Sequence, residues 1–119
     1  MSRQRQRRRE RGQAAVEYAG VIALLLFVAL AAIQLGVAAY AAQQAGTAAR
    51  AGARAASMPD GDGQAGRAAT AAVSEWLRPR TESGSCGVEV TVEVTVDIPQ
   101  VLPIFDFGSA HRSVTMPCD

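Results

Sequence analysis

The feature that most constrains this chain is an uncharged apolar run near its N-terminus. Residues 18–33 carry no charge, and from there through Ala42 the one polar amide is that of Gln34. About 20 apolar residues cross the hydrocarbon core of a bilayer as an α-helix. The run therefore predicts a single membrane-spanning helix with some length to spare.

Charge is distributed unevenly along the chain. Residues 1–12 contain six arginines and one acidic residue, Glu10, whereas six arginines and ten acidic residues occupy the remainder. Because positive charge beside a membrane span stays on the cytoplasmic side, we expect a cytoplasmic N-terminus and an extracytoplasmic chain after about residue 42. The alternative is a secretory signal peptide that is cut within the Ala-rich residues 38–42.

The predicted helix continues beyond the membrane. Residues 38–57, AAYAAQQAGTAARAGARAAS, are good helix formers, and the first proline is Pro59. We expect one helix from about Glu17 to Ser57, with Arg50 and Arg54 on a common face. A ridge of small residues lies on another face: Ala41, Ala45, Ala49 and Ala53. The outer half is either a surface helix above an anchor or a helix dedicated to packing against other subunits.

A loop and a short helix are expected next. Residues 58–66, MPDGDGQAG, have the composition of a loop. The DGDG motif suggests calcium, but the further ligand positions of a calcium loop are missing, so a plain turn is favoured. Residues 67–79 then predict a helix that ends at Pro79, with Val73, Trp76 and Leu77 at helical spacing. We expect Trp76 to pack against the sheet described next.

Strict alternation of apolar and polar residues marks the segment GVEVTVEVTVDIP. It predicts a half-buried strand with one acidic, wet face and one dry face. The dry face consists of Val88, Val90, Val92, Val94, Val96 and Ile98. After the loop PQVLPIFDFG, residues 109–117 predict a second, antiparallel strand.

The two cysteines flank this predicted hairpin. Antiparallel pairing places Cys86, before the first strand, opposite Cys118, after the second, and both are two residues from an inward position (Val88 and Met116). A disulfide that clamps the open end of the hairpin follows, and it fits an oxidising, extracytoplasmic location. Two unpaired thiols are the alternative.

The sequence offers no constellation of residues for catalysis. His111, the single histidine, lies in a predicted strand and is expected to be exposed or to face the hairpin. We find no nucleophile elbow, no glycine-rich phosphate loop after a strand and no cluster of metal ligands. The arginine-rich leader is short and directly precedes the span, which explains it better than nucleic-acid binding does. We therefore expect no enzyme, cofactor, metal, nucleic acid or small-molecule substrate.

Residues 11–18, RGQAAVEY, resemble the processing motif of type IV pilin-like proteins, in which a glycine precedes a glutamate at the fifth position of the mature chain. The Glu17–Tyr18 pair resembles the form found in Flp (type IVb, Tad) pili. Residues 38–57 are similar to the segment after the membrane helix of TadE-like pilus proteins. The C-terminal pattern of an alternating strand, a Pro-containing loop and a final strand also resembles that family.

The resemblance implies a set of roles for the N-terminal residues. Gly12 would precede the cut made by a prepilin peptidase, Gln13 would become the new N-terminus, and the machinery of processing or assembly would recognise Glu17. The Glu17 carboxylate would neutralise the N-terminal amine of a neighbouring subunit, which offsets the cost of a charge in the bilayer. A glutamate that only favours the first turn of the helix through its dipole is the alternative.

This sequence departs from the pattern of these families in two respects. A major Flp pilin is much shorter and lacks an outer sheet domain. TadE-like proteins often have a proline within the membrane helix and an acidic residue near its outer end, where this chain has VIALLLFVAL and Gln34.

The sequence thus predicts an α+β protein with three regions. Residues 1–12 form a basic cytoplasmic leader, residues 13–57 a transmembrane and extended helix, and residues 58–119 a small extracytoplasmic domain with a short helix and a disulfide-clamped antiparallel hairpin. The expected function is that of a TadE-like pseudopilin or minor pilin that assists Tad/Flp pilus assembly by helix packing. Its partners would be membrane lipid, a prepilin peptidase and other pilin-like subunits. The alternative is a secreted or membrane-anchored cell-envelope domain without a pilus role.

Overall fold

One long helix organises the whole molecule. The computed structural model describes residues 2–104 and 106–118, and the principal extents are 90 × 20 × 16 Å. Helix α1 (Ser2–Ala56) contains 55 residues. It begins well before the expected start at Glu17, because the arginines and glutamines of the leader are themselves good helix formers.

The outer domain packs on the last third of α1. Its elements follow in the order α2 (Ala65–Ala71), a 3₁₀ turn (Glu75–Leu77), β1 (Arg80–Ser83), β2 (Glu89–Asp97) and β3 (Ser109–Pro117). The strands form one antiparallel sheet in the order β1-β2-β3, with Val92 opposite Val114 and Thr81 opposite Val94. The expected α+β architecture, with a small helix and a disulfide-clamped antiparallel sheet, is confirmed.

The ridge of small residues on α1 forms the core with its own sheet. Ala41, Ala45, Ala49 and Ala53 are completely buried, and so are the inward valines Val92, Val94 and Val96 of β2. Alanines on the helix let the backbone approach the sheet closely, and β-branched valines suit the facing strand. Arg50 and Arg54, which were expected on a common face, are both exposed. The sheet of this same chain therefore packs against the alanine ridge and covers it.

Gly52 marks the closest approach between the elements. A Cβ at this position would lie 3.0 Å from Val92 Cγ1 and 3.1 Å from the carbonyl oxygen of Ala65. Helix α1, strand β2 and the start of α2 thus meet at a point that has no room for a side chain.

Overpacking the ridge should destabilise the domain. We expect Ala49→Leu to lower the free energy of unfolding by about 1–3 kcal/mol, because the added atoms must separate helix and sheet. Denaturant titration of the full chain in detergent, followed by the fluorescence of the single tryptophan, measures the loss. Thr47→Leu, at an exposed position of the same helix, should change it by less than about 0.5 kcal/mol. Equal midpoints for the two variants would contradict this core.

Two expectations about secondary structure need correction. The helix expected over residues 67–79 is shorter, since α2 ends at Ala71 and is followed by the separate 3₁₀ turn. Val73 and Ser74 have low helix propensity, and Arg78 adopts a left-handed conformation directly before Pro79. Strand β1 had not been predicted, because its residues, RTES, show no apolar alternation.

Val88 and Trp76 also differ from expectation. Val88 is 88% exposed and lies just outside β2, which begins at Glu89 opposite Pro117. Trp76 does not join the core against the sheet. Its ring instead stacks on Tyr40 of α1, with 6.0 Å between centroids and 13° between planes. A hydrogen bond of 2.8 Å between the hydroxyls of Tyr40 and Ser74 secures the same contact.

Candidate functional site

The inner part of α1 presents an apolar surface without a partner in the structure. Among its large side chains, Leu24 is 63%, Leu25 61% and Phe27 49% exposed. An 18-residue window of this helix has a mean hydropathy of 2.7 and is 6% buried. Within the described residues, this is the one helix that is long and apolar enough to cross a membrane. The predicted span is therefore consistent with a single-pass anchor.

The residues of the predicted processing motif lie at the start of this surface. Gly12, Gln13, Glu17 and Tyr18 all belong to α1 and are exposed. Gln13 and Glu17 are one turn apart and so lie on the same helix face. A Cβ at Gly12 would contact nothing within 4 Å. The motif is thus accessible along one side of a regular helix.

The apolar surface ends at a buried polar side chain, Gln34. Its side chain is completely buried, although the residues directly before it form the exposed apolar surface of the helix. Its Nε2 donates to the carbonyl oxygen of Pro99 at 3.0 Å. Its Oε1 accepts from the backbone N–H of Val101 at 2.6 Å and from that of Leu102 at 3.4 Å. Gln34 thus ties the loop between β2 and β3 to the helix.

The sequence showed Gln34 as the one polar amide of the apolar run and as a departure from the acidic residue often found there in TadE-like proteins, but it indicated no partner for this side chain. The available signal was a lone amide in a run of 25 residues that otherwise lacks polar amides and charges. Such a group needs hydrogen-bond partners when it is buried. Those partners are 65–68 residues away in sequence, so no local pattern could have identified them.

A cluster of polar groups joins the three strands at the end of the sheet near Gln34. Arg80 of β1 forms a bidentate ion pair with Asp97 of β2, with distances of 2.9 and 3.2 Å, and the Ser109 hydroxyl of β3 donates to the same carboxylate at 2.9 Å. The Ser109 hydrogen bond, followed by those from Arg80, lowers the pKa of the Asp97 carboxyl below its ordinary value. Both partners of the ion pair are largely exposed, so the cluster fixes strand ends more than it adds stability.

The opposite end of the sheet carries the predicted disulfide. Cys86 and Cys118 are bonded, with their Cα atoms 6.1 Å apart. The backbone N–H of Cys118 donates to the Val88 carbonyl oxygen at 2.9 Å. Both cysteines are partly buried against the core cluster. The clamp therefore closes the hairpin at the end remote from the apolar helix surface.

The residues that the sequence analysis considered for catalysis or metal binding lie on the exposed, polar face of the sheet or in turns. His111 is exposed, as expected, with Nδ1 at 2.9 Å from Thr95 Oγ1 and 3.7 Å from Glu93 Oε1. The DGDG segment forms turns between α1 and α2, where a Cβ at Gly61 would overlap the Ala55 carbonyl oxygen. In the described part of the chain, no three histidine, cysteine or acidic side chains come together in a group that could hold a metal ion.

Fold and surface together define a class of protein: an α+β domain built onto the outer half of a helix whose inner half can cross a membrane. Residues 12–54 match the family model of the TadE-like proteins. The match extends along α1 from Gly12 to Arg54, which confirms the resemblance drawn from the motif and from the helix after the span. The TadE-like family suggests a protein associated with a Tad pilus. No curated protein and no solved structure matches the chain.

Proposed function

We propose that this chain is a pseudopilin or minor pilin that assists assembly of a Tad/Flp-type pilus. The match of residues 12–54 to the TadE-like family carries the proposal, since it includes the processing motif, the apolar surface and the buried ridge. The chain acts by packing its membrane helix against other pilin-like subunits, without catalysis of its own. The arginine-rich leader is cytoplasmic, and the disulfide-containing domain lies outside, where oxidising conditions preserve the bond.

A prepilin peptidase then cuts the chain between Gly12 and Gln13. The exposed position of this bond at the start of the apolar surface supports access from the cytoplasmic side of the membrane. After the cut, Glu17 lies one turn from the new terminus at the edge of the bilayer. Its carboxylate pairs with the terminal amine of a neighbouring subunit, which offsets a cost of up to about 2.5–3.5 kcal/mol for a charge in the membrane.

The structure favours retention of the helix over removal as a secretory signal. A cut within residues 38–42 would separate Gln34 from the loop that it holds and would leave Pro99, Val101 and Leu102 without its hydrogen bonds. It would also remove or fray the helix around Ala41, which is completely buried. The helix is thus part of the folded domain, unlike a disposable signal.

Glu17→Ala tests the role of the motif. We expect the variant to insert into the membrane normally, because it removes the cost of a charged group from the span. Processing at Gln13 or pilus assembly should be strongly impaired, as measured by intact mass of the membrane-bound chain and by electron microscopy of pili. The matched control is Glu10→Ala, which removes an exposed carboxylate from the leader and should leave both unchanged. Normal processing together with normal piliation in Glu17→Ala would overturn the role assigned to Glu17.

A further inference from the structure

The loop between β2 and β3 exposes apolar side chains at its tip. Ile104 is 78% exposed, and Phe107, two residues before the start of β3, is 40% exposed. The neighbouring Pro103 is exposed as well. The one charged residue of this loop, Asp106, accepts a hydrogen bond from the Gly108 N–H at 2.9 Å, which shapes the turn back toward β3. Pro103 and Ile104 are adjacent and exposed, and contiguous exposed apolar surface marks a contact with a membrane or a partner.

The position of the tip is fixed by Gln34. The Leu102 N–H lies 3.4 Å from Gln34 Oε1, and the Leu102 side chain is buried. Ile104 follows two residues later, and two residues of chain reach at most about 7 Å. The exposed isoleucine therefore lies close to the point along α1 at which the apolar surface ends.

That point coincides with the outer boundary of a bilayer if α1 spans it. Residues 18–35, from Tyr18 to the exposed Leu35, would extend for about 27 Å, close to the thickness of a hydrocarbon core. Tyr40 lies about 7.5 Å further along the helix axis than Leu35, and its ring stacks on Trp76. Both rings are partly exposed, and tyrosine and tryptophan are the residues enriched where a membrane meets water.

We propose that the tip of this loop, at Pro103 and Ile104, inserts into the outer leaflet beside the membrane helix. The lipid acyl chains near the headgroups cover Ile104, while Asp106 stays at the polar boundary. With α1 as the first contact and the loop as a second, the domain is held in one orientation on the membrane, and Gln34 couples the two contacts. The inference rests on the proposed membrane span of α1.

Depth-dependent quenching of tryptophan fluorescence tests the proposal on the full chain. All variants carry Trp76→Phe, which keeps an aromatic ring on Tyr40 and removes the native tryptophan. A single tryptophan is then introduced by Ile104→Trp in the loop, by Phe27→Trp in the middle of the apolar surface, or by Val88→Trp. Val88 is a matched control, because it is 88% exposed in the same domain but lies at the disulfide end. Each chain is reconstituted into phosphatidylcholine vesicles with and without brominated acyl chains.

The expected result separates the loop from the rest of the domain. Brominated lipid should quench Phe27→Trp and Ile104→Trp strongly, the latter most when the bromine is close to the headgroup, and should leave Val88→Trp unchanged. Quenching of Phe27→Trp with an unquenched Ile104→Trp would overturn the loop contact and leave the membrane span intact. An unquenched Phe27→Trp would overturn the span, and the inference with it.

Discussion

Replacing Cys86 and Cys118 together by serine is expected to lower the free energy of unfolding of the outer domain by about 3–4 kcal/mol. The bond joins positions 32 residues apart, and its loss releases the entropy of that closed loop in the unfolded chain. The outer domain depends on the disulfide for stability because its core consists mostly of alanines and valines. A small core of this kind contributes little stability beyond what the disulfide adds.

Denaturant titration of the full chain in detergent, read from Trp76 fluorescence, measures this loss. Reductant added to the native chain should move its midpoint to that of the Cys86→Ser/Cys118→Ser variant, and reductant should not affect the variant itself. The micelle retains the apolar part of α1, so the transition reports on the outer domain. A variant with the native midpoint would show that the sheet and the alanine ridge hold the domain without the bond.

Gln34→Leu is expected to cost about 1–3 kcal/mol of stability and to release the β2–β3 loop. Leucine has a similar volume but leaves the Pro99 carbonyl and the N–H groups of Val101 and Leu102 without their partner. Leaving a buried polar group unsatisfied carries a penalty of about that size. The effect should be concentrated in the loop, because the alanine ridge is untouched.

Hydrogen exchange of the Val101 and Leu102 amides checks this prediction directly. Both should exchange much faster in Gln34→Leu than in the native chain, alongside a lower unfolding midpoint. Gln43→Leu provides the matched control, since it removes an exposed amide from the same helix and should change neither quantity appreciably. Unchanged protection of Val101 in Gln34→Leu would mean that Gln34 does not hold the loop.

Features encoded by local sequence patterns were predicted well. The apolar run predicted the long helix, and the alternating valines predicted β2. Pairing of β2 with the strand at residues 109–117 predicted the Cys86–Cys118 bond. Each of these follows from a periodicity or a spacing that can be read without knowing the rest of the fold. The family match over residues 12–54 likewise confirms a resemblance carried by contiguous residues.

Features set by contacts distant in sequence were not predicted. Strand β1 exists because Arg80 through Ser83 pair with β2, not because of its own composition. The sequence showed the alanine ridge, but it did not show that the sheet of the same chain packs against it. Sequence likewise could not identify the partners of Gln34, which lie in the β2–β3 loop, or show that Trp76 stacks on Tyr40 and not on the sheet. Long-range pairing decided each of these outcomes.

The most direct test of the account is the N-terminal sequence and intact mass of the protein recovered from its native membrane. We expect a chain that begins at Gln13, with α1 retained and the Cys86–Cys118 bond intact. A chain that begins near residue 43 would contradict it, since the domain would then be secreted without Gln34 and Ala41. An uncut chain that still begins before Gly12 would contradict pilin-type processing and leave a plain membrane anchor.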